Sequence, residues 1–185
     1  MQLINSLRDA QPCSVQSVER TSFIFLDIET TGLYPNRGAR ITEIAILNRN
    51  STTFAWKGDK DKLSDKKLAE QLPVVLRHLT TGVVVGHNIS FDLGFLAYEA
   101  DRLRFRGPKV LFVDTLGLAK KLCDNLKDYK LATLLENFEI STDGPLHTAI
   151  VDAQVTRALF WKLVNTGDVE TLKEAGMQQL SWTTF

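Results

Sequence analysis

The stretch FIFLDIETTG (23–32) constrains the fold most. FIFLDI is a continuous apolar run rich in β-favouring residues, the mark of a strand buried on both faces. Two acids close it, Asp27 and Glu29, with Ile28 between them. On a strand, i and i+2 share a face and stand roughly 6.6 Å apart along the chain, while Ile28 points the other way. Both carboxylates therefore sit at a strand's C-terminal end, where open α/β sheets place their sites. Carboxylates so close raise each other's pKa unless a cation lies between them. From this stretch alone a solvated strand end and a ligand-holding pair both remain open.

The strand is followed by a turn cluster, TTGLYPNRG, and then by ARITEIAIL (39–47) and TTFAWKG (52–58), read as second and third strands joined at NRNS. Residues 62–82 mix helical spacing with Pro73, which predicts a helix resuming at Pro73 and ending near Gly82. VVVGH (83–87) is a short buried strand, and ISFDLGFLAYEADRL (89–103) an amphipathic helix with Asn88 as its N-cap. KVLFVDT (109–115) is another strand. Short helices over 115–124 and 129–138, a STDGP loop and a long helix over 147–164 complete the pattern. The order predicts a mixed α/β sheet with helices on its faces, and no internal repeat or linker interrupts it. The chain divides into a leader segment (1–21), one domain (22–165) and a tail (166–185).

The chain's 185 residues suit one domain with a real core. No apolar run is long enough for a membrane span, and the N-terminus lacks the pattern of a signal peptide. Two isolated cysteines, Cys13 and Cys123, make neither a disulfide framework nor a CxxC zinc pattern and fit a reducing, cytoplasmic setting. The formal net charge of zero argues against gripping nucleic acid by bulk charge. Local clusters exist, Arg102, Arg104, Arg106 and Lys109, then Lys120, Lys121, Lys127 and Lys130, and read first as solvated faces.

Two helical acids resemble the strand acids in being out of place. Asp92 shares its helix face with Phe95 and Leu96, and Asp152 heads the stripe Val155, Leu159, Leu163. An unpaired buried carboxylate costs several kcal/mol, on the order of a large fraction of a domain's stability. Within helical reach of Asp152 only Thr156 offers a hydroxyl. A divalent ion shared with Asp27 and Glu29 resolves all four acids, and hard oxygen donors favour magnesium or manganese. Zinc fits worse because the histidines lack zinc-site spacing. Of the three histidines, His78 lies near a helix C-terminus and reads as structural. His87 and His147 each precede an acid by five residues, and either could serve as general base. The loop-borne His147 is favoured, because a base must reach a water without being fixed in place.

Taken together the residues resemble the DEDDh branch of the DnaQ-like 3′–5′ exonucleases of the ribonuclease H-like superfamily, among them the proofreading exonuclease of bacterial replicative DNA polymerase. The motifs are DIETTG (27–32), HNISFD (87–92) and HTAIVDA (147–153), and the likeness runs from Phe23 to Val164. The resemblance implies a central mixed five-stranded sheet, its first three strands an antiparallel meander, flanked by helices on both faces. It implies Mg2+ or Mn2+, two ions per site, held by Asp27, Glu29, Asp92 and Asp152, with His147 activating the attacking water. Thr30, Thr31, Gly32 and Leu33 would line the terminal-nucleotide pocket, with Phe91 packing there and His87 and Asn88 adjacent to substrate. The implied reaction is metal-dependent hydrolysis of phosphodiesters from the 3′ end of single-stranded or frayed DNA, releasing nucleoside 5′-monophosphates in replication, repair or end trimming. An exoribonuclease of the same fold and a non-catalytic nucleic-acid-binding module are the alternatives. The tail MQQLSWTTF loosely resembles a sliding-clamp peptide. Leader and tail are the places for a protein partner such as a polymerase or clamp, although for the tail's apolar residues packing back on the core, or onto a fused or partner chain, is preferred to the clamp reading.

Overall fold

The structure is a computed structural model that describes residues 16–58 and 65–182. Its elements are β1 (Phe23–Thr30), β2 (Ile41–Leu47), β3 (Thr52–Lys57), α1 (Asp65–His78), β4 (Val83–Gly86), α2 (Ile89–Arg102), β5 (Lys109–Asp114), α3 (Thr115–Leu122), α4 (Leu131–Asn137), α5 (Ala149–Thr166) and β6 (Gln178–Ser181). They form one mixed sheet in the order β3-β2-β1-β4-β5-β6. β1, β4 and β5 are parallel, whereas β2, β3 and β6 run antiparallel to their neighbours. The sheet thus has six strands where five were expected. The sixth, QQLS, is polar and half-exposed, and it is held to β5 by backbone pairing, which leaves no apolar pattern to read.

Alternation along β1 divides the core. Phe23 and Phe25 pack with Ala45, Leu47, Val85 and the buried residues of α3, α4 and α5. Ile24, Leu26 and Ile28 face the other way, toward α1 and α2. The same alternation aims Asp27 and Glu29 at the α5 side. Phe160 of α5 stacks on Phe23 and Phe25, with ring centroids 4.8 and 5.8 Å apart, so the helix is clamped against β1.

Two expectations are corrected by packing. The helix of 65–78 does not restart at Pro73 but runs through it. Proline inside a helix costs about 3 kcal/mol, and the stripe Leu68, Leu72, Val75, Leu76 buried on both sides of it supplies the compensating core contact. Asn88 starts α2 without a side-chain cap; its backbone is left-handed (φ 59°), which Asn tolerates, and its N–H donates to Asp114 Oδ1 at 2.8 Å.

Beyond α5 the chain folds back. Val169, Leu172 and Ala175 are buried in the α5-side core, and Val18 joins them, its N–H donating to the Glu170 carbonyl at 2.9 Å. Leu180 and Trp182 pack on the other face, so the stretch resembling a clamp peptide serves as an edge strand. Most of the leader, residues 1–15, lies outside the described residues, as do 59–64 and 183–185.

Candidate active site

The C-terminal end of β1 stays paired with β2 as far as Thr30, whereas its pairing with β4 stops at Phe25. Helices from both faces send an acid to it. Asp92, in the first turn of α2, is 5 % exposed and accepts the Ile28 N–H at 2.9 Å through Oδ1, so the strand's own backbone fixes the carboxylate beside Asp27 and Glu29. Asp152, in the first turn of α5, is also buried. Glu29, His147 and Asp152 each place a potential ligand atom within 4.8 Å of the others.

Electrostatics set this end of the sheet apart. Burial and then the charges of Asp92, Asp152, Glu29 and Glu43 push the Asp27 carboxyl well above the ordinary aspartate range. Burial likewise pushes Asp92 well up, against the Ile28 N–H, and Asp114 and Glu29 add to the rise. Asp152 is raised more gently, burial being partly offset by the His147 backbone and ring. A cluster of acids that raise one another in this way fits a divalent cation with hard oxygen ligands.

The histidines differ in setting. His87 has both ring nitrogens engaged, Nδ1 with Thr115 Oγ1 and Nε2 with the Tyr129 carbonyl, each at 3.0 Å. A carbonyl only accepts, so Nε2 carries a proton, and burial lowers the ring's pKa, against the Asp114 charge and the Tyr129 bond. His147 is exposed, and its backbone is left-handed (φ 70°). That turn aims its N–H at both carboxylate oxygens of Asp152, 3.3 and 3.2 Å away. Thr156, the hydroxyl within helical reach of Asp152, does not bond it; its buried Oγ1 has no hydrogen-bond partner among the described residues.

The loop after β1 is held by local bonds. Thr30 Oγ1 donates to the Gly32 carbonyl at 2.8 Å, and Thr31 Oγ1 accepts the Arg40 N–H at 2.9 Å. Leu33, a large apolar group, stands 68 % exposed among the described residues. Phe91 packs on Phe95, ring centroids 4.9 Å apart. The structure therefore brings Asp27, Glu29, Asp92, His147 and Asp152 together, whereas Leu33 lies out on the loop and the His87 ring is held by Thr115 and Tyr129.

One neighbour escaped the sequence reading. Glu43 is 6 % exposed on β2 and stands directly across the ladder from Glu29. The signal was present, a lone acid inside the wholly buried run ITEIAIL.

Comparison with known proteins agrees with this geometry. The family model RNase_T (Exonuclease) matches residues 49–160, more than half of the chain, including Asp92, His147 and Asp152. Among curated relatives, the 3′-5′ exonuclease DinG of Bacillus subtilis is 29 % identical over 168 residues, covering 80 % of this chain and 18 % of DinG. A PolC-type DNA polymerase III of Caldanaerobacter subterraneus is 33 % identical over 180 residues, covering 86 % of this chain and 12 % of the polymerase. The chain thus spans less than a fifth of the length of either relative. Among solved structures, the nuclease domain of 3′hExo, a DEDDh family member bound to rAMP, superposes with a TM-score of 0.62 at 16 % identity, covering 82 % of this chain and 96 % of that one, which shows the fold. By the family match, with the DEDDh motifs in place on a ribonuclease H-like sheet, this chain belongs to the RNase_T exonuclease family.

Proposed function

We propose that the protein is a metal-dependent 3′–5′ exonuclease acting on single-stranded or frayed DNA and releasing nucleoside 5′-monophosphates. The observation that carries the reading is the convergence of Glu29, His147 and Asp152 within 4.8 Å, beside an Asp27 whose largest charged neighbours are all acids.

Asp27, Glu29, Asp92 and Asp152 would hold the divalent ions, Mg2+ or Mn2+. Bound there, such ions polarise a phosphodiester, lower the pKa of a water and stabilise the leaving oxygen. The remaining roles belong to the chain. His147 is exposed next to the acids and takes the proton of the attacking water. His87, half-buried and held at both ring nitrogens, braces the β4–α2 turn that carries Asn88 and Asp92. Thr30, Thr31, Gly32 and Leu33, with Asn88 and Phe91, receive the terminal nucleotide, the exposed Leu33 offering an apolar surface to an unstacked base.

DNA is favoured because both relatives above are named for DNA work or 3′-5′ exonuclease activity. The rAMP bound to a fold neighbour supports RNA as the second reading. A setting in replication or repair, a polymerase or other nucleic-acid-processing partner, and a cytoplasmic location follow from the same reading. No helix among the described residues is long and apolar enough to cross a membrane.

Timed digestion of 3′- and 5′-labelled single strands of DNA and RNA, with Mg2+ and with chelator, tests the reading. Mononucleotide release from DNA 3′ ends that stops with chelator and with Asp27→Ala is the expected result. Preferential RNA trimming would move the substrate to the second reading, and cleavage surviving Asp27→Ala would sink the metal-site proposal.

A further inference from the structure

Glu43 is a buried acid that the mechanism above does not use. It occupies the middle of a row across three strands: Glu29 on β1 pairs with Glu43 on β2, which pairs with Lys57 on β3. Like charges facing each other across a ladder are unfavourable, so Glu43 beside Glu29 needs a reason. Its two oxygens are used differently. Oε1 takes the Lys57 ammonium at 2.6 Å. Oε2 faces the backbone N–H of Ala149, 106 residues away in sequence, at 3.4 Å, a long contact.

Ala149 is the first residue of α5, the helix that carries Asp152 and follows His147. Its first turn lacks the usual local cap. Thr148 occupies the N-cap position, but its hydroxyl donates to the Pro145 carbonyl at 3.2 Å instead of accepting from the helix. The Ala149 N–H is thus met from the sheet rather than from the helix's own flank. A carboxylate there also suits the positive end of the helix dipole.

We propose that Glu43 is a positioning residue for the reaction. Its carboxylate ties the N-terminus of α5 to β2 and so fixes Asp152 and His147 against Asp27 and Glu29. Lys57 holds the carboxylate in register and offsets its charge beside Glu29. Glu43 contacts no substrate in this role and lies outside the group formed by Glu29, His147 and Asp152. The inference rests on the exonuclease reading for its kinetic consequence but not for the tether itself.

The test combines steady-state digestion of labelled single-stranded DNA with amide hydrogen exchange in the presence of chelator. Glu43→Ala is expected to lower kcat by roughly tenfold to a hundredfold, since misplacement of this kind costs that much, with KM little changed. Lys57 is 66 % exposed and can turn its ammonium to water, which leaves the single amide oxygen of Glu43→Gln to accept from Ala149, and kcat is expected to stay close to that of wild type. Ala149→Pro removes the donor at a helix position that tolerates proline, and Thr148 already has the extended backbone (φ −130°, ψ 130°) that a following proline requires. It should slow the enzyme as Glu43→Ala does, and the double variant should be no slower than either single. Exchange at the Ala149 amide should accelerate in Glu43→Ala and not in Glu43→Gln. Losses that multiply in the double variant, or Glu43→Gln as slow as Glu43→Ala, would overturn the proposal. If Glu43→Ala does not fold, Glu43→Gln and Ala149→Pro decide alone. If the wild type degrades no nucleic acid, the exonuclease reading fails, and exchange at Ala149 in wild type and Glu43→Ala still decides the tether.

Discussion

Helix α2 buries two carboxylates on one stripe, Asp92 and, seven residues on, Glu99. They are 5 % and 0 % exposed. Around Glu99 the chain supplies positive charge: Arg40 Nε at 2.9 Å and Arg102 Nη2 at 2.6 Å. Both guanidiniums reach on to Asp65, Arg102 at 2.7 Å. Around Asp92 it supplies backbone N–H groups, those of Ile28 and of Asp92 itself, and more acids. A buried acid with its own guanidiniums is complete as a structural unit. A buried acid held beside other acids is completed from outside, and only the second kind belongs to the candidate site.

The sharpest way to break this comparison is to neutralise each acid in turn. Asp92→Asn keeps an oxygen for the Ile28 N–H and removes a buried charge. We expect nuclease activity to fall on the order of a thousandfold, while the chelated protein melts at a higher temperature than wild type. Glu99→Gln should do the reverse. Stripping one partner from a buried ion pair costs about 3–5 kcal/mol, so melting should drop by several degrees, with kcat at a permissive temperature near that of wild type. Thermal melts and timed digestion of both variants check the pair. If Glu99→Gln lost activity and kept its stability, the division drawn here between the two acids would be wrong.

How far each acid could be read from the sequence follows the same line. Asp27, Glu29, Asp92 and Asp152 were visible because each interrupts an apolar strand or stripe, and the periods of 2.0 and 3.6 say which face they take. Glu43 interrupts an apolar run just as plainly, but its meaning lies in the register that sets it opposite Glu29 and in a contact with Ala149, and neither is local. Glu99 shows the limit from the other side: Arg102, three residues on in α2, hints at a pairing, but Arg40 comes from a distant segment, so α2 alone shows only half of its neutralisation. Most strands were legible from their apolar runs. β6 was not, because a polar edge strand is defined by the backbone it pairs with, and the path of α1 through Pro73 is decided by tertiary packing.

Protons offer a gentler probe than mutation. The native carboxyls of Asp27 and Asp92 lie above the ordinary value of 3.8, so folding the metal-free chain takes up protons there. The stability they contribute is fully present below 3.8 and is lost as pH rises through their raised native values. The melting temperature of chelated wild type should therefore fall, relative to chelated Asp92→Asn, as pH is raised from 3.8 toward neutrality. Millimolar Mg2+ should reduce that difference, because the ion competes for the same carboxylates. Melting curves across pH, with chelator and with Mg2+, would count against the acid cluster if the two proteins ran parallel throughout.

The smallest effect is expected at the rim of the Glu99 network. Asp65 accepts from both Arg40 and Arg102, which hold its carboxyl below the ordinary aspartate range, yet its side chain is 54 % exposed. Solvent screens such a pair, and exposed ion pairs contribute about 0–1 kcal/mol. Asp65→Asn should accordingly shift the denaturant midpoint only slightly and leave cleavage unchanged, even though it touches the same two guanidiniums as Glu99. A loss in Asp65→Asn as large as that in Glu99→Gln would mean that the arginines need both acids to stay in place. The neutralisation of Glu99 would then be a property of the four-residue network and not of the buried pair contacts themselves.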